Sequence, residues 1–158
     1  MNNLILALVA LALFVFFMWR GQKNKKVAIE NVKKGQAFLA ENQEKDGVRT
    51  FESGLQLQTL EPGDGNNHPN ATDQVKVHYH GTLLDGTVFD SSVERGEPIT
   101  FGLNQVIPGW TEGLCYMVEG EKARLYIPSH LAYRNQKAGI IEPGSLLIFD
   151  VTLIAINP

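Results

Sequence analysis

The sequence predicts an α+β domain, an antiparallel sheet wrapped over one short helix, carried behind an apolar N-terminal helix. Three observations support that class. Short runs of alternating apolar and polar residues recur from residue 51 onward, with turn residues between them. One stretch among them, GWTEGLCYM at 109–117, reads as a helix instead. Ahead of both stands LILALVALALFVFFMW, residues 4–19, sixteen apolar residues without a break.

That first run sets the membrane question. A spanning helix wants about 20 apolar residues, with a lower limit near 17, and this run reaches that length with Met1 to Asn3 in the interface. A cleaved signal carries basic residues before its apolar run and a small-x-small site after it. Here the only earlier positive charge is the α-amino group, the run ends in Phe17-Met18-Trp19, and no cysteine lies beside it for lipidation. Residues 1–19 are therefore expected to be an uncleaved, single-pass anchor; a removed signal and a buried core helix are the alternatives. Arg20, Lys23, Lys25 and Lys26 follow the run. Basic flanks stay cytoplasmic, which puts the domain on the cytoplasmic face of the inner membrane. One short flank leaves the periplasmic side open.

Residues 20–50 are polar and helix-prone. Val27, Ala28, Val32, Phe38 and Leu39 make a loose helical stripe that Gly35 interrupts, and Asp46-Gly47 is a stop signal. The expectation is a solvated helical stalk. Dimerisation through this helix is the alternative, and the stripe is too loose a heptad to support a homodimer.

The domain proper covers 51–158. GLQLQTL (54–60) alternates and is broken by EPGDG. QVKVHYHGTLLDGTVFD (74–90) reads as two strands about the Asp85-Gly86 turn, with Val75, Val77 and Tyr79 on the apolar face. KARLYIP (122–128) places Ala123, Leu125 and Ile127 together, and SLLIFDVTLIAI (145–156) does the same for Phe149, Val151 and Leu153. Four or five strands and one helix result. The 44% hydrophobic and 20% charged content suits a folded chain. A net charge of -3 without a basic stripe speaks against nucleic acid. The lone Cys115 cannot form an intramolecular disulfide.

Reactive chemistry is scarce. His78 and His80 share a strand face opposite the apolar one, so both are expected to face solvent, and no third ligand closes a metal site. Cys115 lies among Leu114, Tyr116 and Met117 and reads as packing. Gly63-Asp64-Gly65 is a turn without the spacing or lysine of a phosphate loop. Asp90-Ser91-Ser92 reads as a turn cap, with no histidine placed to serve it as a triad. Phe101, Ile107 and Phe149 would each suit any small core, and Tyr79 and Tyr133 any strand end.

Taken jointly, YHGTLLDGTVFDSSVERGEPITF (79–101), VIPGWTEGL (106–114), YIPSHLAY (126–133) and GIIEPGSLLIFDVTLIAI (139–156) resemble the FKBP-type peptidyl-prolyl isomerases. The preceding GQAFLAENQEKDGV is similar to the helix before the domain in bacterial Mip-like members. The resemblance implies a twisted antiparallel sheet curled around one short helix, an apolar pocket between them, and no cofactor. It implies Trp110 as the pocket floor and Tyr79, Phe101, Val106, Ile107, Tyr133, Ile140, Ile141 and Phe149 around it, with Phe89 beside a proline ring. Asp90, the Tyr133 hydroxyl and the Ile107 N–H would be its polar contacts, with Arg95 paired to Asp90. Proline-containing polypeptides would be the clients and macrolides possible inhibitors. Departures are Ile99 for an aromatic, Arg134 for a glycine, Gln105 for an acid, and a short loop to Gly139 without a histidine.

Overall fold

The computed structural model describes residues 2–158; Met1 and the side chains of Asn2 and Asn3, expected in the interface, lie outside the described residues. One helix, α1 (Asn2–Asn42), carries both the apolar run and most of the polar segment after it. Seven strands follow: β1 (Val48–Thr50), β2 (Gln56–Glu61), β3 (Gln74–Thr82), β4 (Val88–Ser91), β5 (Ile99–Gly102), β6 (Lys122–Ile127) and β7 (Leu147–Ile156). Two short helices are set between them, α2 (Ser92–Arg95) and α3 (Pro108–Cys115).

All pairings are antiparallel, in the order β1-β2-β6-β7-β3-β4, with β5 also on β3. Register shifts at Thr59/Glu61, Lys76/Val77 and Gly81/Thr82 add twist to the sheet. The expected inward faces are the observed ones. Val75, Val77, Ala123, Leu125, Ile127, Val151 and Leu153 are fully buried, with Leu114 and Met117 from the α3 segment against them.

Two glycines let α3 lie close on the sheet. A Cβ on Gly109 would collide with Ile127, and one on Gly113 would come within 2.9 Å of Leu125. These glycines are four residues apart on one helical face, so the backbone of α3 rests on β6 and its first turn is fixed by that contact.

The outer edge of β3 is divided. β4 pairs with His80–Thr82 and β5 with Gln74–Val77, and α2 fills the gap between them. There the Tyr79 N–H donates to Ser92 Oγ at 2.8 Å, replacing the missing ladder bond. Ser91 caps α2 by accepting from Glu94 N, and Gly96 ends it at φ 74°.

Three expectations need correction. First, the polar segment of α1 is not solvated throughout. Ala28, Asn31, Val32, Gly35, Phe38, Leu39 and Asn42 make a continuous buried or half-buried stripe against the domain. Asn31 Nδ2 donates to Pro143 O (2.9 Å), Asn42 Nδ2 to Gln56 Oε1 (2.8 Å), and Phe38 packs on Tyr126. Gly35 does not interrupt the stripe; it brings the helix against Leu146, whose Cβ would lie 3.2 Å from a Cβ there. The stripe considered for self-association is thus covered by the chain's own domain.

Second, His78 and His80 are half-buried on the face opposite the core. Third, they do meet the serines. His78 Nδ1 and Ser92 Oγ are 2.9 Å apart, as are His80 Nδ1 and Ser91 Oγ. These hydroxyls are committed to the α2 cap and the Tyr79 backbone, while the Asp90 carboxylate bonds to Tyr79 and Arg95, so no triad forms.

Candidate active site

A cleft of about 720 Å³ opens between α3, the inner sheet face and the loops around it. Its floor is Trp110, in the first turn of α3 after Pro108. Pro108 has a favourable φ for a first turn, and Ile107 O accepts from Trp110 N (3.0 Å) and Thr111 N (3.2 Å) to open the helix. The Trp110 ring meets Tyr79 (5.3 Å, 82°), Phe149 (5.1 Å, 87°) and Phe101 (5.3 Å, 52°) at ring-centroid distances suited to edge contacts. Phe89 stands edge-on to Phe149 at 5.3 Å. Trp110 Nε1 has no hydrogen-bond partner among the described residues, a desolvation cost of roughly 1–3 kcal/mol that burial of the indole offsets.

The walls come from four strands and two connecting segments. Tyr79 (β3), Phe89 and Asp90 (β4), Phe101 (β5), Phe149 (β7) and the Val106–Ile107 approach to α3 all line the cleft, with Tyr133 and Ile141 from the 132–146 loop. Ile99, Gln105 and Ala138 line it too. Gly81 allows the aromatic wall to close, because a Cβ there would meet Phe89 at 2.6 Å and Phe149 at 2.8 Å. No hydrogen bond from the Ile107 N–H is present among the described residues. Tyr133 is 41% exposed at the rim.

Polar groups are few and mutually fixed. Tyr79 Oη donates to Asp90 Oδ2 at 2.5 Å, and Arg95 Nη2 donates to Tyr79 Oη at 2.9 Å. Arg95 Nη1 also pairs with Asp90 Oδ1. The four-residue α2 turns Arg95 back onto Asp90, five positions earlier. Burial pushes the Asp90 carboxyl up, but hydrogen bonds from Tyr79 and Arg95 and the guanidinium charge outweigh it and hold the group below its ordinary range. Burial and the Asp90 carboxylate push the Tyr79 phenol up. Burial likewise raises the half-buried Cys115 thiol, which disfavours the nucleophilic thiolate.

Of the twelve expected site residues, ten line the cleft. Arg95 sits behind the lining and touches it through Asp90 and Tyr79. Ile140 lies outside it and is 55% exposed. Ala138 escaped the sequence reading. It reaches the cleft through a tight reversal in which Ala138 and Ile141 exchange both backbone hydrogen bonds (3.0 and 2.9 Å) around Gly139 at φ 58°. The Ala-Gly-Ile-Ile string offered that turn as its only signal.

Comparison with known proteins agrees with this fold. Residues 65–154 match the family model described as FKBP-type peptidyl-prolyl cis-trans isomerase, and residues 9–58 match the domain amino-terminal to it. The chain is 58% identical over 135 residues to the FKBP-type peptidyl-prolyl cis-trans isomerase FkpA of Aeromonas hydrophila, covering 85% of this chain and 50% of that one. The crystal structure of FkpA from Escherichia coli superposes with a TM-score of 0.86 at 40% identity, covering 95% of this chain and 72% of that one. A peptidyl-prolyl cis-trans isomerase from Pseudomonas syringae gives 0.76 at 39% identity, covering 83% and 96%. The chain spans about half the length of the first curated relatives it matches.

Proposed function

The chain belongs to the FKBP-type peptidyl-prolyl cis-trans isomerase family, and from that premise we propose that it accelerates rotation about X-Pro bonds of polypeptides near a membrane. The observation that carries this reading is the Trp110 floor, met edge-on by Tyr79 and Phe149 and at a tilt by Phe101, with no free acid, base or nucleophile set beside it among the described residues.

Such a site suits a reaction that breaks no bond. The X-Pro peptide is planar by resonance, and its rotation takes tens to hundreds of seconds unaided. A twisted amide has lost that resonance and much of its dipole, so a dry apolar cleft disfavours it less than the planar form. Binding the twisted state better than either isomer lowers the barrier, by about 1.4 kcal/mol for each tenfold in rate. In this reading the proline ring lies flat on Trp110 beside Phe89. The Ile107 N–H and the Tyr133 hydroxyl hold the carbonyl oxygens of the client. The Asp90 carboxylate, kept ionised by Arg95 and Tyr79, faces the rotating group. Macrolides of the proline-mimicking kind would compete for the same floor.

The apolar run supports an anchor. Its large side chains from Leu4 to Trp19 are all exposed, on a helix long and apolar enough to cross a membrane. The basic flank from Arg20 to Lys26 favours a cytoplasmic domain, which a reporter fused after Pro158 tests directly. A second reading, a client-holding module without useful turnover, draws on Ile99, whose small side chain lines the cleft and is 39% exposed. Relaxation of cis-proline peptides with the full chain in detergent separates the two: the enzyme shortens it, the module leaves it unchanged while still binding peptide.

A further inference from the structure

The basic part of α1 and one wall of the cleft meet at the 132–146 loop. Helix α1 runs unbroken through Asn42, so the domain is held at a set height on it. The order of contacts along the helix gives that height. Asn135 shares a groove with Lys25, Ala28, Ile29 and Val32; Gly144 abuts Ala28; Pro143 O accepts from Asn31. Only further along, at Phe38–Asn42, does the helix meet Tyr126 and Gln56. The 132–146 loop is therefore the part of the domain nearest the apolar run, and it carries Tyr133, Ala138 and Ile141 of the cleft.

At 1.5 Å per residue, Lys25 stands roughly 9 Å and Ala28 roughly 14 Å beyond Trp19. A headgroup layer is about 5–8 Å deep on each side, and surface potential extends a further Debye length of about 8–10 Å. The loop lies within that reach.

Charge is divided along the same axis, apart from Asp85, an acid of the remainder that shares a groove with Asn31 and Lys34. Residues 20–34 and 133–142 hold eight of the fourteen Lys and Arg (Arg20, Lys23, Lys25, Lys26, Lys33, Lys34, Arg134, Lys137) and two of the seventeen acids (Glu30, Glu142). They carry +6, eight less two; the remaining six bases and fifteen acids carry −9, which together give the net −3. Both acids are already paired, Glu30 with Lys34 at 2.9 Å and Glu142 with Lys137 at 3.2 Å. Arg134 and Lys137 are exposed, and so is the large apolar Ile140 at the loop tip.

We infer that the 134–140 loop and residues 20–34 of α1 form one surface that lies on an anionic lipid bilayer and holds the mouth of the cleft at the membrane. This rests on the anchor reading above. Basic groups are drawn to anionic headgroups, and Ile140 is presented to the same interface. The acidic remainder is repelled, so both signs of charge set one orientation. Clients would then be proline-containing segments at the lipid surface.

The test uses the full chain with Cys115→Ala and Ile140→Cys, bearing a fluorophore, mixed with vesicles of neutral phosphatidylcholine or with added phosphatidylglycerol. Gln136→Cys serves as a second labelling position. Flotation establishes insertion, and a headgroup-attached quencher reports contact of the loop. The expected result is quenching that is stronger with phosphatidylglycerol and reversed by salt. Arg134→Asn keeps a residue that tolerates left-handed backbone and should shift the docked-to-undocked ratio about fivefold toward undocked, one basic residue's share. A chain that floats with both vesicles yet shows weak or equal quenching in them overturns the inference. A chain that floats with neither overturns the anchor reading, and this one with it.

Discussion

Tyr79 Oη lies 2.5 Å from Asp90 Oδ2, and Arg95 bonds to both, so the one carboxylate in the cleft is clamped from two directions. Its folded pKa lies below the ordinary value. A depressed carboxylate contributes stability above the unfolded pKa, near 3.9, and loses it as pH falls through the folded value. Isomerase activity should therefore show no Asp90 titration between about pH 5 and 8, and the acid loss should begin below about pH 4. Asp90→Asn should abolish that acid limb and lower kcat/KM with little change in fold, as read from a pH–rate profile and circular dichroism.

Trp110→Leu should lower kcat/KM at least about tenfold, the equivalent of 1.4 kcal/mol of transition-state binding. It should also destabilise the domain by about 2–4 kcal/mol, because three aromatic ring contacts and much buried area are lost. Urea unfolding beside peptide relaxation separates the two effects.

Gly109→Ala should destabilise the fold by about 1–3 kcal/mol, since the added methyl runs into Ile127. As Trp110 is the next residue, near-ultraviolet circular dichroism should report its displacement in a Trp19→Phe background.

Arg134 occupies left-handed backbone at φ 56°. Arg134→Gly should stabilise the chain by about 0.5–1 kcal/mol, the relief of that conformation less the entropy glycine gains when unfolded. Gly144→Ala should do the reverse and more strongly, because φ is 77° and a Cβ there collides with the backbone of Ala28. Thermal unfolding of both variants checks the sign.

Much of the fold was legible because β3, β6 and β7 each alternate cleanly, with one apolar face apiece. The three-residue β1, the four-residue α2 and β5 were not. Elements that short carry no period, and Ser91 and Ser92 announce a cap without showing that it fills a gap in a sheet edge. The docking face of α1 was hidden for a different reason. Its members include Asn31, Gly35 and Asn42, polar or small residues whose partners Pro143, Leu146 and Gln56 are distant in sequence. The cleft was legible only as a set. No single residue among Phe101, Ile107 and Phe149 differs from ordinary core, and only the aligned blocks around Trp110 joined them.

Everything proposed for this site depends on turnover at the Trp110 cleft. It is tested most directly by following cis-to-trans relaxation of proline peptides with the detergent-solubilised full chain, alone, with a macrolide, and as Asp90→Ala. The expected result is relaxation faster than the uncatalysed rate, returned to that rate by the macrolide and slowed by Asp90→Ala. A folded chain that leaves every relaxation at its uncatalysed rate would contradict it.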